Sequence, residues 1–188
     1  MKSDAERCKE SETFRKIDAA FRNGDLAALR AAVDDPASLP NGPMPLSIGP
    51  CLVYAIYHSP LPFIRTLLAT GADPNLAVDD GFPPLIAALS CSHPQLGSPG
   101  RSDTLDIIKL LLTFDADPNQ RGINDYTPLH MAVGERHLPA IGVLIEAGAD
   151  PRLRTRIDDY ETPLEMAERA GLVEIAKLLA AYELRLEK

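Results

Sequence analysis

Apolar residues recur at helical spacing in three short stretches of the chain, and each stretch ends in a similar turn. The stretches read FIRTLLAT from Phe63, LDIIKLLLTF from Leu105 and AIGVLIEA from Ala140. Apolar residues at every third or fourth position cover one face of a helix, so each stretch predicts an amphipathic helix. The turns that follow read GADPN at residues 71–75, DADPN at 115–119 and GADPR at 148–152. This recurrence predicts a chain built from repeated units.

A second motif recurs at the start of three units and predicts a further helix in each of them. It reads PPLIAAL from Pro83, TPLHMAV from Thr127 and TPLEMAE from Thr162. A threonine at this point can cap the first turn of a helix with its hydroxyl, and the proline that follows suits the first helical position. Each unit is therefore a pair of helices. A single pair cannot cover its own apolar face, so neighbouring pairs must stack.

These motifs resemble the ankyrin repeat, whose signature includes the sequence TPLH found here at residues 127–130. The resemblance covers about residues 13–182 and implies an all-α ankyrin-repeat solenoid of about five stacked helix pairs with hairpin-like turns. The units span about residues 13–41, 50–75, 83–119, 127–152 and 162–182. A polar N-terminal segment, 1–12, and a C-terminal tail, 183–188, lie outside them. The last unit lacks a closing Gly-Ala-Asp and ends in charged residues, as a C-terminal cap should.

Several departures from the repeat pattern predict local differences in structure. Pro50 stands where threonine is usual, so the helix that follows loses a capping hydroxyl. Asp115 replaces the glycine that ends a helix, and aspartate tolerates the left-handed region better than most residues. Residues 34–49 are rich in proline and predict an extended first turn. Residues 90–103 form an insertion whose Gly, Pro and Ser content predicts a flexible loop.

Composition restricts the classes of partner and the cellular compartment. The formal net charge of -8 disfavours nucleic acid and anionic membranes, because their phosphates would be repelled. The cysteines Cys8, Cys51 and Cys91 are odd in number and form no CxxC pair, which favours free thiols in a reducing compartment. The polar start lacks the apolar stretch of a signal peptide, and no apolar run is long enough to span a membrane. These features predict a cytoplasmic protein.

The sequence offers little that indicates catalysis or metal binding. It contains no GxSxG, HExxH or GxxxxGK[ST] motif, so we expect neither an enzyme nor a cofactor. Cys91 and His93 form a lone Cys-x-His pair, whereas a closed zinc site needs four ligands. Cys51 is expected on a buried helix, where a thiol behaves as a small apolar group. The resemblance implies that His130 is structural and bonds to the backbone of a neighbouring unit.

Two turn asparagines, Asn75 and Asn119, follow Asp-Pro steps. The resemblance implies that asparagines at this position can be hydroxylated by a dioxygenase, which would make the chain a substrate. The alternative is that each side chain bonds to nearby backbone and stabilises the turn. We favour the structural interpretation.

The resemblance also implies a role in binding another protein through a concave face built from first helices and turn tips. The chain would then act as an adaptor or an inhibitor. The alternative is a dedicated, immunity-type neutraliser of a toxin or effector, and an enzyme with a nonstandard site is a third, weaker possibility. The candidate partner-binding residues are Tyr57, His58, Asp79, Asp80, Phe82, Asn124, Asp125, Tyr126, Glu135, Asp158, Asp159 and Tyr160. Aromatic residues are favoured as binding anchors, although Phe82 and Tyr126 could equally pack between adjacent turns.

The charge distribution predicts the kind of partner. Asp79, Asp80 and Asp125 fall at turn tips, and Asp158 and Asp159 extend the row into the last turn. Exposed acids at the tips would steer the approach of a partner with a basic patch. The competing interpretation is that these acids only maintain solubility, with the arginines between residues 152 and 156 cancelling them locally. On its own, the chain is expected to be a monomer.

Overall fold

The fold consists of helices joined by turns. A computed structural model describes residues 3–77, 81–92, 100–157 and 160–186. These residues form ten α-helices in five consecutive pairs, and no strand occurs among them. The prediction of an all-α repeat fold is therefore confirmed. The chain divides into two compact units, residues 1–76 and 77–188.

The first unit holds two helix pairs and a long connection. Its helices are α1 (Asp4–Asn23), α2 (Leu26–Ala32), α3 (Cys51–His58) and α4 (Leu61–Ala69), with short 3-10 turns at Pro36–Ser38 and Pro45–Ser47. Helix α1 packs on α2 and also on α3. Its capping box joins Ser3 and Glu6, so it starts within the segment expected to precede the repeats. The rings of Phe21 and Phe63 meet edge to face, 5.8 Å apart, in the core of this unit.

The second unit holds three helix pairs that follow one pattern. Its helices are α5 (Pro84–Ser90), α6 (Thr104–Thr113), α7 (Pro128–Gly134), α8 (Leu138–Glu146), α9 (Pro163–Arg169) and α10 (Val173–Leu186). The first helices pack in the order α5, α7, α9, and α6 packs on α8. The buried residues are mostly Leu, Ile, Val and Ala, which agrees with a sequence that contains no Trp and only 5% aromatic residues. The core therefore runs between successive pairs, which is how a stacked repeat covers apolar faces that one pair leaves open.

Helix ends follow the local sequence. Thr127 and Thr162 each cap a helix and form a capping box with the residue three positions later. Pro50 gives no side-chain cap, as predicted. Asp115 adopts a left-handed conformation with φ of 63°, one residue after the C-cap residue of α6, so its predicted role in ending that helix is also confirmed.

The end of the last pair is less polar than its charged sequence suggests. Helix α10 exposes Val173 and Leu184 to solvent, besides its charged residues. The expectation of a polar C-terminal cap is therefore met only in part.

Candidate functional site

The turns that lead into α5, α7 and α9 share a left-handed residue. Gly81, Asp125 and Tyr160 have φ values of 77°, 59° and 54°, and each stands two residues before the N-cap residue of the next helix. A left-handed conformation at this point turns the chain sharply from the tip into the helix. Glycine adopts it without strain, whereas other residues do so at a cost of about 1–2 kcal/mol.

Asp125 is buried beneath two arginines. Its side chain is only 8% exposed. The Arg156 side chain donates from Nη2 to Oδ1 over 2.7 Å, and the Arg156 backbone N–H donates to Oδ2 over 2.7 Å. Arg121 also donates to this carboxylate, at Oδ2. The hydrogen bonds from Arg156, followed by the charges of both arginines, hold the pKa of Asp125 below its usual value despite its burial.

The expectation that Asp125 is an exposed, partner-steering acid is therefore wrong. The physical reason is that Arg121 and Arg156 neutralise the Asp125 carboxylate within the chain. The carboxylate thereby joins the turn at residues 120–126 to the turn at 153–157. The other predicted acids, Asp79, Asp80, Asp158 and Asp159, lie outside the described residues. Arg156 itself stays 71% exposed, so the visible charge at this point is a guanidinium.

The last turn presents an aromatic residue to solvent. Tyr160 is 62% exposed. The Arg154 side chain donates to the carbonyl of this left-handed residue over 2.9 Å. Arg154 is fixed in turn by a bidentate pair with Glu165, at 2.6 and 2.7 Å. Ile157 is also exposed. Apolar and aromatic surface thus lies next to arginines that are already held in place.

His130 has the structural role that the sequence predicts. It is fully buried on α7, with Nδ1 lying 2.8 Å from the Thr127 hydroxyl and Nε2 lying 3.0 Å from the Glu161 carbonyl oxygen. Burial lowers its pKa, because the charged form loses its water. Tyr126 stacks on the His130 ring with centroids 5.7 Å apart. Tyr126 therefore packs onto α7 as well as standing at a tip.

The remaining candidates in the second unit are Phe82, Asn124 and Glu135. Phe82 and Glu135 are half-buried, the latter at the C-terminal end of α7. Asn124 is exposed and, with a φ of 54°, left-handed.

In the first unit, the candidates belong to an aromatic group on α3. Tyr57 is exposed and His58 half-buried. The His58 ring lies 4.4 Å from that of Tyr54, whose hydroxyl donates to Asp18 over 2.8 Å. Burial and this hydrogen bond raise the pKa of Tyr54 to about 12. Sequence reasoning missed Tyr54 and Asp18, because only the packing of α1 on α3 brings them together.

Asparagine side chains join successive turns. Asn119 donates to the Gly148 carbonyl over 3.1 Å and accepts from the Asp150 backbone N–H over 2.8 Å. Asn41 makes the same two bonds to Gly71 and Asp73, at 2.7 and 2.8 Å. We call this pair of bonds an asparagine clamp.

The clamps bear on two sequence predictions. Asn41 was missed, although its Pro-Asn step, residues 40–41, matches the steps at 74–75 and 118–119. For Asn119, the clamp supports the structural interpretation, because both ends of the amide are occupied by backbone of the next turn. For Asn75, the backbone N–H donates to the Asp73 side chain over 2.8 Å, which also belongs to a turn.

The cysteines and histidines form no cluster that the structure describes. Burial raises the pKa of the Cys51 thiol to about 12 and that of the Cys91 thiol to about 11. Cys51 lies on a buried helix as predicted, while His93 lies outside the described residues. Among the residues with assigned positions, no group of three His, Cys, Asp or Glu could hold a metal ion. None of the helices within these ranges is both long and apolar enough to cross a membrane.

Comparisons with known proteins identify the repeat. A family model of three ankyrin-repeat copies matches residues 100–188, and a model of many copies matches residues 52–96. Alpha-latrocrustotoxin-Lt1a of Latrodectus tredecimguttatus is 30% identical over 114 residues, which cover 60% of this chain and 7% of the toxin. Protein fem-1 homolog A of Homo sapiens is 41% identical over 73 residues, covering 37% of this chain and 11% of that protein.

A viral relative covers more of the chain. An ankyrin repeat protein of Fowlpox virus (strain NVSL) is 28% identical over 170 residues, covering 89% of this chain and 34% of the viral protein. In each of these three relatives, the match spans only a minor part of the relative's own length. The likeness is therefore to a repeat array within larger proteins.

Proposed function

The chain belongs to the ankyrin-repeat family, and from this premise we propose that it is a protein-interaction module acting as an adaptor or an inhibitor. Ankyrin repeats are generally protein–protein interaction modules and are typically non-enzymatic. The proposal goes further in assigning the binding surface to turn tips and first helices.

The observation that carries the proposal is the surface of the last turn. We define the tip surface as the exposed residues Arg156, Ile157 and Tyr160. Tyrosine and arginine are enriched at the energetic centres of protein interfaces. Because Arg156 is already held by Asp125, binding would cost it less side-chain freedom than a mobile arginine would lose. A strained left-handed backbone that exposes a ring, as at Tyr160, is also more common where a residue serves function than where it only packs.

Other candidate residues would extend the binding surface of each unit. Asn124 and Glu135 belong to the same unit as the tip surface and are proposed to make peripheral polar contacts. Tyr57 and His58 offer a second aromatic area in the first unit. Phe82 and Tyr126 are half-buried and are proposed mainly to support the turns.

A partner with a basic patch remains a proposal that rests on Asp79, Asp80, Asp158 and Asp159, together with the net charge of -8. Asp125 no longer contributes to it. The test is the rate of association with an identified partner at low and high salt. A rate that falls with salt, and that falls less steeply in the double variant Asp79→Asn/Asp80→Asn, supports the proposal. A rate that rises with salt overturns it.

Affinity capture with matched variants tests the interaction function. The wild-type chain and Tyr160→Gly are each immobilised, with Leu184→Ala as a control that removes an equally exposed apolar side chain on α10. We expect Tyr160→Gly to lose a partner that the wild type and the control retain. One stoichiometric partner would favour an inhibitor or an immunity-type neutraliser, whereas several substoichiometric partners would favour an adaptor. Equal capture by all three chains would contradict the assigned surface.

A further inference from the structure

The outward face of α8 differs from the faces of the other second helices. The fifth residue is Arg65 in α4, Lys177 in α10 and Gly142 in α8. The equivalent residue in α6 is Lys109. It is the sixth residue of that helix, because α6 begins one residue earlier relative to its closing turn. The three cations are exposed. Glycine inside a helix lowers its stability relative to alanine, and a Cβ built at Gly142 would meet no atom within 4 Å. Packing within the chain therefore does not explain the glycine.

Gly142 lies in the wall of an apolar groove between α8 and α10. The groove has a volume of about 300 Å³ and is lined by Gly142, Ile145 and Glu146 on α8 and by Leu178, Ala181, Tyr182 and Arg185 on α10. The Tyr182 hydroxyl donates to the Ile145 carbonyl over 3.4 Å and links the two walls. Leu178 is 36% exposed at the rim. The groove is thus a small depression with an exposed leucine beside it.

One acid and one base stand on opposite walls of the groove. Glu146 is on α8 and Arg185 is on α10, and both are exposed. Within the part of the chain that the structure describes, neither side chain forms an ion pair. The surface therefore carries a charge of each sign, with apolar area between them. A surface of this kind can be complementary to itself under a two-fold rotation.

We propose that the groove is the interface of a weak homodimer, with a second copy of this chain as its occupant. Helices α8 and α10 are the second helices of successive repeats, so they run in the same direction. A two-fold axis parallel to them, passing over the groove, places α8 of one copy against α10 of the other. Leu178 then lies over the partner's Gly142, in the space that a cation fills in the other helices. Glu146 faces the partner's Arg185, and the reciprocal pair forms at the same time.

The positions along the helices agree with this pairing. Glu146 lies four residues after Gly142, and Arg185 lies eight residues after Lys177, the equivalent of Gly142. The Arg185 backbone is therefore one helical turn, about 6 Å, beyond the level of Glu146. Side chains on a helix tilt toward its N-terminus, which brings the long arginine side chain back to that level.

The size of the surface predicts weak association. Helix α10 has 14 residues and α8 has nine, so they are about 21 Å and about 14 Å long. At a width of about 10 Å each, the two helices give a footprint of about 350 Å² per copy. A stable dimer buries about 800 Å² per partner. The dimer should therefore form only at high protein concentration. Under those conditions we propose a dimer in place of the monomer expected from the sequence.

Sedimentation velocity on the full chain, from about 1 μM to about 1 mM, tests the dimer. We expect the average mass of the wild type to rise with concentration. Glu146→Arg and Arg185→Glu should each weaken association at least tenfold, because like charges then oppose each other, and the double reversal should restore it. Arg65→Glu, a charge reversal at the equivalent outward position of α4, is the matched control and should dimerise like the wild type.

Gly142→Lys supplies an independent test, because it restores the cation found in the other second helices. It should abolish dimerisation while the melting temperature stays at or above that of the wild type. A wild type that remains monomeric throughout the range overturns the proposal. So does a double reversal that fails to associate when the wild type dimerises.

Discussion

Asp125 and Tyr160 occupy the same left-handed position in successive turns, yet one side chain is buried and the other exposed. The Asp125 carboxylate ties its turn to the next one through Arg156. At Tyr160 the same backbone conformation instead presents a ring to solvent. The same turn geometry thus holds two turns together in one repeat and exposes a side chain for binding in the next.

Asp125→Asn should destabilise the second unit by about 1.5–3 kcal/mol, the range for hydrogen bonds to a charged group. The folded pKa of Asp125 lies below the unfolded value of about 3.9. The stability that it adds is therefore fully present above that value and is lost as pH falls through the folded pKa. Denaturant unfolding at neutral pH and near pH 3 measures this. The gap between wild type and variant should shrink in acid, and a gap that grows would contradict the buried ion pair.

Tyr160→Gly should leave the free energy of unfolding within about 1 kcal/mol of the wild type. Relief of the left-handed backbone offsets the greater freedom that glycine gives the unfolded chain. Gly81 shows that glycine fits this position. Asp125→Gly, the same change one repeat earlier, should be clearly destabilising because it removes the carboxylate. Thermal melting of the two variants side by side decides, and similar losses in both would refute the distinction between the roles of the two residues.

Asn119→Ala should cost about 1–3 kcal/mol, because two hydrogen bonds of about 0.5–1.5 kcal/mol each are lost. Asn119→Asp keeps the acceptor for the Asp150 N–H but places a carboxylate oxygen against the Gly148 carbonyl oxygen, so its loss should be at least as large. Arg152→Asn places an asparagine at the equivalent position of the next turn and is expected to change stability little. Urea unfolding measures all three. No loss in Asn119→Ala would show that the clamp adds nothing to stability.

Most of the insertion should be dispensable for folding, but Arg101, which anchors its C-terminal end, should be needed for full stability. The Arg101 backbone N–H donates to the Cys91 carbonyl over 2.8 Å, and the Arg101 side chain forms a bidentate pair with Asp103. The ends of the loop are thus held together. Replacing residues 93–99 with Gly-Asn should preserve cooperative melting, since halving the length of a flexible connection changes the free-energy cost of closing it by only about 0.6 kcal/mol. Arg101→Ala should lower the melting temperature. The opposite ranking of the two variants would show that the loop belongs to the core.

Local signals in the sequence were enough to predict the helix pairs. Thr127, Pro128 and the left-handed Asp115 act within a few residues of their own position, so their roles could be inferred from neighbouring residues. The role of Asp125 could not, because its partner Arg156 lies 31 residues away. A turn aspartate looks exposed in sequence until the next repeat is packed against it.

The first turn shows the same limit from another direction. Asn41 follows a proline as the other turn asparagines do, but the Gly-Ala-Asp that normally surrounds it is absent. Its two bonds to residues 71 and 73 become visible only in the folded chain. Within the tip surface, Tyr160 could be predicted because it is aromatic and near a turn. The contacts of the arginines that hold this turn in place could not be predicted.

The asparagine clamps also predict where the second unit should open first. Arg152 stands at the clamp position of the last turn, but it pairs with Asp150 in its own turn instead of reaching a neighbour. The amides of Asp73 and Asp150 are closed by clamps and should exchange their hydrogens with solvent slowly for surface turns. Amides of α10 should exchange much faster, since α9 and α10 can detach without breaking a clamp. The native ensemble would then include a shorter array, with α7 and α8 as its last pair.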